Sequence, residues 1–333
     1  MPDRKVTVSK DHLSDSSNEA ALPQDGTVSD ATPGPATQPE ATQQQDWTVR
    51  MVLDWTIAHL KQHGSESPRL DAEILLAHAR GCQRIQLYTN YDTPLEPEQR
   101  AKMRELVKRR ATLEPVAYLV GFREFFGLDF EVGPGVFIPR PDTETLVVTL
   151  LEVAKEMTSP ETLRVLDVCT GTGCIPISVA ANCPRAIVTA VELDENVVKM
   201  AQRNAEKNNV ASRVRILQGN LFEPLSPDAQ FEFIASNPPY VTDEEMDELQ
   251  PDVRFHEPHL ALRGGRDGLD IVRRLLAEAP SRLARGGVML MEIAGEQAET
   301  VRQLYAETGQ FEAADIAKDL GGRSRVVWAR KKQ

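Results

Sequence analysis

Apolar residues recur every three or four positions between residues 47 and 119, which is the spacing of one buried face of an α-helix. The segments with this pattern are VRMVLDWTIAHLKQHG (49–64), SPRLDAEILLAHARG (67–81) and EPEQRAKMRELVKRRATLEP (96–115). Gly64 and Gly81 are expected to end the first two helices, Pro97 to open the third, and Pro115 to follow its end. We predict an N-terminal helical domain, residues 47–119, built as a small bundle.

The pattern changes in VGFREFFGLDFEVGPGVFIPR, residues 120–140. Aromatic and β-branched residues alternate there with turn residues, including Gly-Pro-Gly at 133–135, which is typical of a β-hairpin. We expect this hairpin to link the helical domain to the rest of the chain.

From residue 141 to residue 333, short apolar runs alternate with segments of helical spacing. The strand candidates are LRVLDVC (163–169), AIVTAVEL (186–193), RVRILQG (213–219), FEFIASN (231–237), GVMLMEI (287–293) and two terminal runs. This alternation predicts an α/β fold with a doubly wound sheet covered by helices on both faces. The two terminal runs are joined only by DLGGRS, so we expect them to pair as a hairpin with an antiparallel edge strand.

Residues 1–46 are rich in Ser, Thr, Pro, Gln, Asp and Ala and carry few large apolar residues. Such a segment buries too little surface to offset its ordering entropy, so it is predicted to be a disordered tail. The beginning of the chain lacks the apolar run of a signal peptide, and no run is long enough to span a membrane. A cytoplasmic protein with no membrane contact is therefore expected.

The 333 residues carry a formal net charge of −12, which argues against direct binding of nucleic acid over a large surface. The basic run RAKMRELVKRR (100–110) is interpreted as a solvated helix face, with partner docking as the alternative. The four cysteines have no C-x-x-C spacing and no histidine at zinc-ligand spacing, so reduced thiols and no metal are expected.

An acidic residue and a loop of small residues follow the first strand of the predicted sheet, in LDVCTGTGCIPISVA (166–180). Asp167 precedes the loop, and Gly171 and Gly173 permit close approach of a ligand to the backbone. Ligands bind at the carboxyl ends of strands in such sheets. The loop is not G-x-G-x-x-G, because Cys169 occupies a glycine position, so a dinucleotide is not favoured.

Two further residues follow the next strands along the same edge. Glu192 ends the second strand, about 20 residues after the loop, where a carboxylate accepts both ribose hydroxyls. The alternative for Glu192 is a charge at a helix N-terminus. Asn220 could accept from the adenine amine or only form a turn, and Leu221 with Phe222 could wall the base. Adenosine recognition without a phosphate loop favours S-adenosylmethionine over NAD or ATP.

SNPPYV (236–241) places an amide, two prolines and an aromatic ring at the end of a buried strand. Each proline restricts the preceding residue to extended conformations, so the segment is stiff. The Asn237 side-chain oxygen and the Pro238 carbonyl can together accept both hydrogens of one planar NH₂ group. Tyr240 can pack on that group and favour positive charge on its nitrogen. This pattern indicates methyl transfer to a conjugated nitrogen, and the alternative is a proline-rich turn.

The chain resembles the protein N5-glutamine methyltransferases that modify peptide chain release factors, the HemK/PrmC family. The resemblance runs from about residue 50 to residue 330. It rests on LDAEILLAHA (70–79), EPVAYLVGFREFFGLDF (114–130), FIPRPDTETLV (137–147), DVCTGTGCI (167–175), SNPPYV (236–241), EPHLALRGGRDGLD (257–270) and DLGGRSRVV (319–327). Asn-Pro-Pro-Tyr alone is shared with nucleic-acid amino-methyltransferases, whereas the series of motifs is more specific.

The resemblance implies a five-helix N-terminal domain that docks the substrate, a hairpin linker and a seven-stranded, Rossmann-like methyltransferase domain. The reaction implied is methylation of the glutamine in the Gly-Gly-Gln motif of release factors, with S-adenosyl-L-homocysteine as the other product. Separately from the resemblance, we expect a monomer. The residues implied to contact S-adenosylmethionine are Cys169, Thr170, Gly171, Thr172, Gly173, Glu192, Asn220, Leu221 and Asn237. Asp167, the acid before the loop, is predicted to bind the cofactor with them. Those implied to hold the glutamine amide are Asn237, Pro238, Pro239 and Tyr240, with Phe137 as a wall of its pocket.

Two positions depart from the family pattern: Cys169 stands where many members have glycine, and Asn220 where many have aspartate. Cysteine is small and asparagine keeps an acceptor, so cofactor binding is expected to survive. The cysteine also occurs in a sister group that methylates a large-subunit ribosomal protein, but FIPRPDTE resembles the release-factor group.

Three alternatives remain beside release-factor methylation. The first is a ribosomal-protein glutamine methyltransferase. The second is a nucleic-acid amino-methyltransferase acting on adenine N6 or guanine N2. The third is a non-catalytic adaptor with a degenerate methyltransferase fold, against which the intact loop, Glu192 and Asn-Pro-Pro-Tyr argue.

Overall fold

Five helices open the described part of the chain, which comprises residues 46–157 and 161–333 of this computed structural model. They are α1 Val49–Gln62, α2 Pro68–Arg80, α3 Arg84–Thr89, α4 Pro97–Ala111 and α5 Val116–Val120. The predicted disordered tail lies outside the described residues, apart from Asp46. Across these described ranges, no helix is both long enough and apolar enough to cross a membrane.

The ends of the long helices follow from their sequence. The Thr48 hydroxyl accepts from the Met51 N–H at 3.4 Å and so caps α1. Gly81 ends α2 in the left-handed conformation, with φ +64°. Pro97 is the first residue of α4, where the missing N–H costs nothing. The short helices α3 and α5 carry too few turns for helical spacing to predict them.

A β-hairpin follows the helices and contains β1 Phe122–Phe125 and β2 Leu128–Glu131. Its turn is formed by Phe126 and Gly127, which have φ values of +53° and +71°. Gly-Pro-Gly at 133–135 lies after the second strand and leads the chain away from the hairpin. Two residues at positive φ are typical of the tight hairpin turn whose twist matches that of the strands.

The main sheet has seven strands in the described residues, as the fold prediction required. They are β3 Leu163–Val168, β4 Ala186–Glu192, β5 Val214–Gln218, β6 Phe231–Ser236, β7 Leu283–Glu292, β8 Asp315–Lys318 and β9 Ser324–Arg330. Their order is β5-β4-β3-β6-β7-β9-β8. The parallel strands β4 and β6 lie on opposite sides of β3, so the order in which strands are added to the sheet reverses at β3. This topological switch point leaves a crevice at the carboxyl end of β3.

Helices cover both faces of this sheet, which confirms the doubly wound prediction. They are α6 Glu144–Glu156, α7 Cys174–Asn182, α8 Glu195–Lys207, α11 Asp270–Arg282 and α12 Ala298–Glu307. The short helices α9 Pro251–His256 and α10 His259–Leu262 lie between β6 and α11 in the chain. On β3, Val165 packs with α6, α7 and α8, whereas Leu166 packs with α11 and α12. Neighbouring residues of a strand face opposite sides, so each strand supplies both cores.

The terminal hairpin differs from its prediction in one respect. Strands β8 and β9 do pair antiparallel, but β9 lies between β7 and β8. The strand that runs against the rest of the sheet is therefore internal, and β8 forms the edge. The reason is burial, because Val326 and Val327 of β9 are fully buried, whereas no residue of β8 is buried.

Candidate active site

A cavity of about 570 Å³ opens at the carboxyl ends of β3, β4 and β6. Twelve residues of the sequence prediction line it: Phe137, Cys169, Thr170, Gly171, Thr172, Glu192, Asn220, Leu221, Asn237, Pro238, Pro239 and Tyr240. Two predicted residues, Asp167 and Gly173, are buried outside its wall. One continuous space thus joins the loop predicted for the cofactor to the segment predicted for the substrate.

The loop after β3 turns sharply, and its residues have distinct roles. Cys169 has φ +64°, a conformation that glycine adopts more easily, which explains why a glycine position is recognisable there. A side chain added at Gly171 would meet nothing within 4 Å, so this backbone is open to a ligand. One added at Gly173 would lie 2.9 Å from Ile177 Cδ1 and 3.4 Å from Ala201 Cβ. Gly173 therefore permits α7 and α8 to pack together and does not line the cavity.

Asp167 lies beneath this loop at the end of β3 and is fully buried. Burial raises the pKa of its carboxyl group to about 8, and the neighbouring Thr170 hydroxyl offsets part of that rise. A carboxyl group in this setting keeps a proton in the folded protein that it has lost in the unfolded chain. Its influence on the cavity is indirect, through the loop above it.

Replacing Asp167 by asparagine is expected to stabilise the ligand-free protein more at pH 9 than at pH 5. From its usual pKa of 3.8 up to about 8, only the folded state binds the proton, so wild-type stability falls as pH rises through this window. The unfolding free-energy difference between variant and wild type should grow by about 1.4 kcal/mol per pH unit at most. Urea unfolding at several pH values measures it, with Asp54→Asn, an exposed carboxylate, as the control. A pH-independent difference would contradict the buried, protonated state.

Glu192 accepts three backbone hydrogen bonds at the end of β4. Its Oε2 accepts from the Gly171 N–H at 2.9 Å, and its Oε1 accepts from Leu193 and Asp194 at 2.8 and 3.1 Å. The carboxylate therefore holds the β3 loop and the β4 end together. The side-chain cap of α8 is Asp194, which accepts from Asn196 at 2.7 Å, whereas Glu192 lies just before this helix as a charge near its N-terminus.

The loop after β5 supplies the third wall. The Asn220 amide nitrogen donates to Glu223 Oε1 at 3.0 Å, and the Asn220 carbonyl accepts from the Glu223 N–H at 3.1 Å. Asn220 therefore forms a turn, and its amide oxygen is not used in that pair. Leu221, at φ +52°, contributes an apolar surface to the cavity. Phe222 is in the core and does not line the cavity, so its predicted place against a ligand is not observed.

Asn237 is held by a residue far away in sequence. Its amide nitrogen donates to the Thr143 hydroxyl oxygen at 3.2 Å. Thr143 is buried in the 3-10 turn Pro141–Thr143, within the motif FIPRPDTETLV. Because the amide nitrogen is engaged there, the amide oxygen is the atom that remains to accept a hydrogen bond from a ligand in the cavity.

The other end of Asn-Pro-Pro-Tyr is also fixed by hydrogen bonds. The Tyr240 hydroxyl donates to Glu292 Oε1 at 3.3 Å, and the Tyr240 carbonyl accepts from Gln297 Nε2 at 3.0 Å. Burial, together with the nearby Glu292 carboxylate, raises the pKa of Tyr240. The phenol is therefore neutral, and its ring is immobilised at the cavity wall.

Two glycines allow the chain to pass close behind these prolines. A side chain at Gly264 would lie 2.7 Å from the Pro239 carbonyl oxygen, and one at Gly268 would lie 2.2 Å from the Tyr240 carbonyl oxygen. Gly268 also has φ +74°, which disfavours any other residue. The motif RGGRDGLD (263–270) is thus a support for the Asn-Pro-Pro-Tyr backbone.

The linker after the hairpin is tied to the same region by a buried carboxylate. Glu257 Oε2 accepts from the Ile138 N–H at 3.1 Å, and Glu257 Oε1 pairs with Arg140. The Arg140 guanidinium lies 4.8 Å from the centre of the Phe137 ring, within cation–π range. Phe137 is thereby placed on the cavity wall, as predicted for a residue beside the substrate.

Thr143, Glu257 and Glu292 were not among the predicted site residues. Glu292 could have been found, since it is an acid at the carboxyl end of the apolar run GVMLME, the same signal that identified Glu192. Thr143 and Glu257 lie in motifs that carried the family resemblance. Nothing in their spacing showed that Thr143 contacts Asn237, which is 94 positions away, or that Glu257 contacts Ile138, which is 119 positions away.

Comparisons with known proteins match both parts of the chain. The model of the PrmC N-terminal domain matches residues 51–121, and that of the methyltransferase small domain matches residues 128–253. Two relatives described as release factor glutamine methyltransferases are similar over most of their length. That of Rhodopirellula baltica is 43% identical over 88% of this chain and 99% of its own. That of Geobacter sulfurreducens is 45% identical over 85% of this chain and 97% of its own.

A third relative with the same description, from Koribacter versatilis, is 38% identical over 85% of this chain and 99% of its own. Among solved structures, a methyltransferase from Pyrococcus furiosus is 20% identical, with a TM-score of 0.46, over 68% of this chain and 99% of that one.

Proposed function

The chain belongs to the family of release factor glutamine methyltransferases, and from this premise we propose how its cavity performs the reaction. It is a protein-glutamine methyltransferase that uses S-adenosylmethionine. The acceptor is the side-chain nitrogen, N5, of the glutamine in the Gly-Gly-Gln motif of peptide chain release factors. The ribosomal-protein and nucleic-acid alternatives are set aside, because the full-length relatives are described as acting on release factors.

The observation that carries the proposal is the hydrogen bond from Asn237 to Thr143. This bond leaves the Asn237 amide oxygen available to a ligand. The Pro238 carbonyl is a second acceptor beside it, and neither Pro238 nor Pro239 has a backbone N–H that could occupy these oxygens. Both oxygens accept the hydrogens of the substrate NH₂ group. An amide nitrogen is a poor nucleophile, and holding its hydrogens on acceptors orients it and favours the positive charge that develops there.

The cofactor half of the cavity fits S-adenosylmethionine, which supplies an electrophilic methyl group on a sulfonium. The open backbone at Gly171 accommodates the amino-acid part of the cofactor, and residues 169–172 surround it. The Glu192 carboxylate, already fixed by three N–H groups, accepts from the ribose hydroxyls. The free oxygen of Asn220 accepts from the adenine amine, and Leu221 packs on the base.

The substrate half holds the planar glutamine amide between Tyr240 and Phe137. Tyr240 is neutral and fixed, so its ring face favours the developing cation. Much of the acceleration then comes from positioning the nitrogen against the methyl group. No side chain on the cavity wall has to act as a base in this scheme, because the methylated nitrogen is strongly acidic and loses its extra proton to water after transfer.

We assign the first helices to substrate docking, with residues 47–119 as the helical domain, residues 120–140 as the linker and residues 141–333 as the methyltransferase domain. The Tyr118 hydroxyl donates to the Val136 carbonyl at 2.5 Å, and Gln250 donates to Glu66 at 2.9 Å. These contacts connect the helices to the linker and to α9 beside the cavity. The expected cytoplasmic location follows from the substrate, and the monomer remains a prediction.

The experiment that tests this function is transfer of a labelled methyl group to purified release factor. Labelling is expected on the wild-type factor and absent on a factor whose Gly-Gly-Gln glutamine is replaced by alanine. Ribosomal proteins, DNA and ribosomal RNA serve as competing acceptors. Equal labelling of the two factors, or transfer to nucleic acid alone, would refute the proposal.

A further inference from the structure

Glu292 is a buried acid that the proposed reaction does not use. It ends β7, is 1% exposed, and is absent from the residues that line the cavity. Its Oε1 accepts from the Tyr240 hydroxyl, whereas its Oε2 is buried without a hydrogen-bond partner among the described residues. Burying a carboxyl group with one oxygen unpaired is costly, so its retention beside the Asn-Pro-Pro-Tyr segment requires a reason.

The Thr143 hydroxyl connects this acid to the other end of the segment. It accepts from the Asn237 amide nitrogen at 3.2 Å, and it lowers the pKa of the Glu292 carboxyl group, whose buried Oε2 has no other partner among the described residues and can accept the Thr143 hydrogen. A hydroxyl has one hydrogen. When that hydrogen points at Glu292, the Thr143 oxygen must accept, and Asn237 can satisfy it only with its NH₂ group. The Asn237 oxygen is then turned to the cavity.

We propose that Glu292, in its ionised form, is a positioning residue that orients Asn237 through Thr143 and fixes Tyr240 directly. This inference rests on the proposed function, because it concerns the two residues that hold the substrate amide. Glu292 touches neither substrate nor cofactor.

The two protonation states of Glu292 differ in the hydrogen bonds that they form with Thr143 and Tyr240. An ionised carboxylate only accepts, so its unpaired Oε2 can take the Thr143 hydrogen while Oε1 keeps that of Tyr240, and both ends of the segment are then set. A protonated carboxyl group donates one hydrogen. If it donates to Thr143, it competes with the Asn237 N–H, and the amide is free to rotate. Protonation is therefore expected to slow methyl transfer without emptying the cavity.

The charged and titratable groups around Glu292 come from four elements. Asp142 and Thr143 face it from the 3-10 turn, Tyr240 from the segment after β6, Arg325 from β9, and Cys174 from the start of α7. Burial raises the pKa of Glu292 to about 7, Asp142 adds to the rise, and Thr143, Tyr240 and Arg325 oppose it. The acid thus titrates near neutral pH, where a change in its charge is measurable.

Arg325 is itself held at this position by acids. It pairs with Asp142 at 2.7 Å and with Asp319 at 3.0 Å. The motif DLGGRSRVV therefore fastens the 3-10 turn that carries Thr143. Two motifs that are remote in sequence, FIPRPDTE and DLGGRSRVV, form one support behind the substrate segment.

The test is the pH dependence of single-turnover methyl transfer to release factor at saturating cofactor. The wild-type rate should rise as pH increases through 7, whereas Glu292→Gln should be slower by about tenfold at pH 8 and independent of pH. Glutamine keeps the shape of the side chain but cannot accept from both hydroxyls with its two terminal atoms. Glu296→Gln, an exposed acid in the next turn, is the matched control and should behave as wild type.

A double-mutant cycle tests the path through Thr143. If Glu292 acts through this hydroxyl, Glu292→Gln should cost less in a Thr143→Val background than in the wild type. Additive costs, or a wild-type rate and pH profile for Glu292→Gln, would overturn the inference.

Infrared difference spectra of the free protein, wild type against Glu292→Gln, provide a readout that does not depend on activity. A protonated carboxyl band should be present at pH 6 and disappear as pH rises. Absence of that band at pH 6 would overturn the inference that protonation of Glu292 slows methyl transfer. Because the spectra need no acceptor, they test Glu292 even if the wild type labels no release factor, an outcome that would refute the proposed function instead.

Discussion

Replacing Asn237 by alanine should lower the single-turnover rate of methyl transfer by about a hundredfold to a thousandfold, the usual cost of removing one group that stabilises developing charge. The affinity for S-adenosylmethionine should change only a few fold. In the proposed reaction the amide oxygen contacts the nitrogen on which positive charge builds up, so it is expected to act mainly in the transition state. The Asn237 amide is oriented by Thr143, so the alanine variant also loses that link.

The measurements are labelled-methyl transfer for the rate and titration calorimetry for the cofactor. Asn196→Ala is the control, since Asn196 is an exposed asparagine on α8 outside the cavity wall. An unchanged rate in Asn237→Ala would refute the acceptor role. Loss of cofactor binding equal to the loss of rate would show that Asn237 serves the cofactor and not the transition state.

Gly268→Ala is expected to reduce methyl transfer by about a hundredfold, although Gly268 touches no ligand. Its Cβ would lie 2.2 Å from the Tyr240 carbonyl oxygen and 2.4 Å from Gln297 Nε2. The chain must therefore shift at Tyr240, the residue proposed to hold the glutamine amide. A displacement of about 1 Å at a substrate-positioning residue is enough for a loss of this size.

The control for Gly268→Ala is Gly286→Ala. Gly286 also has positive φ, at +67°, but an added side chain there meets nothing within 4 Å. Both variants carry the left-handed strain of about 1–2 kcal/mol, so melting temperature should fall in both. Only Gly268→Ala should lose activity beyond what its melting temperature explains. Equal activities in the two variants would contradict the supporting role of RGGRDGLD.

Strand ends were the part of the site that could be predicted, because the carboxyl ends of parallel strands meet at one edge. That rule placed Glu192, Asn220 and Asn237 correctly on one cavity. It did not separate a residue that faces the cavity from one that lies beneath it. The rule therefore assigned Asp167, Gly173 and Phe222 to the ligand site as well. In the structure, Asp167 and Gly173 are buried outside the cavity wall and Phe222 is in the core.

By itself, the sequence determined the order of helices and strands, the α/β class and the residue types available for methyl transfer, since these depend on local periodicity, turn chemistry and side-chain chemistry. Only the tertiary structure decided which of those residues touch. The pairing of Asn237 with Thr143, of Tyr240 with Glu292, and the insertion of β9 beside β7 join segments remote in sequence. Such contacts follow from how buried layers pack around a common core, and local spacing carries no information about that packing.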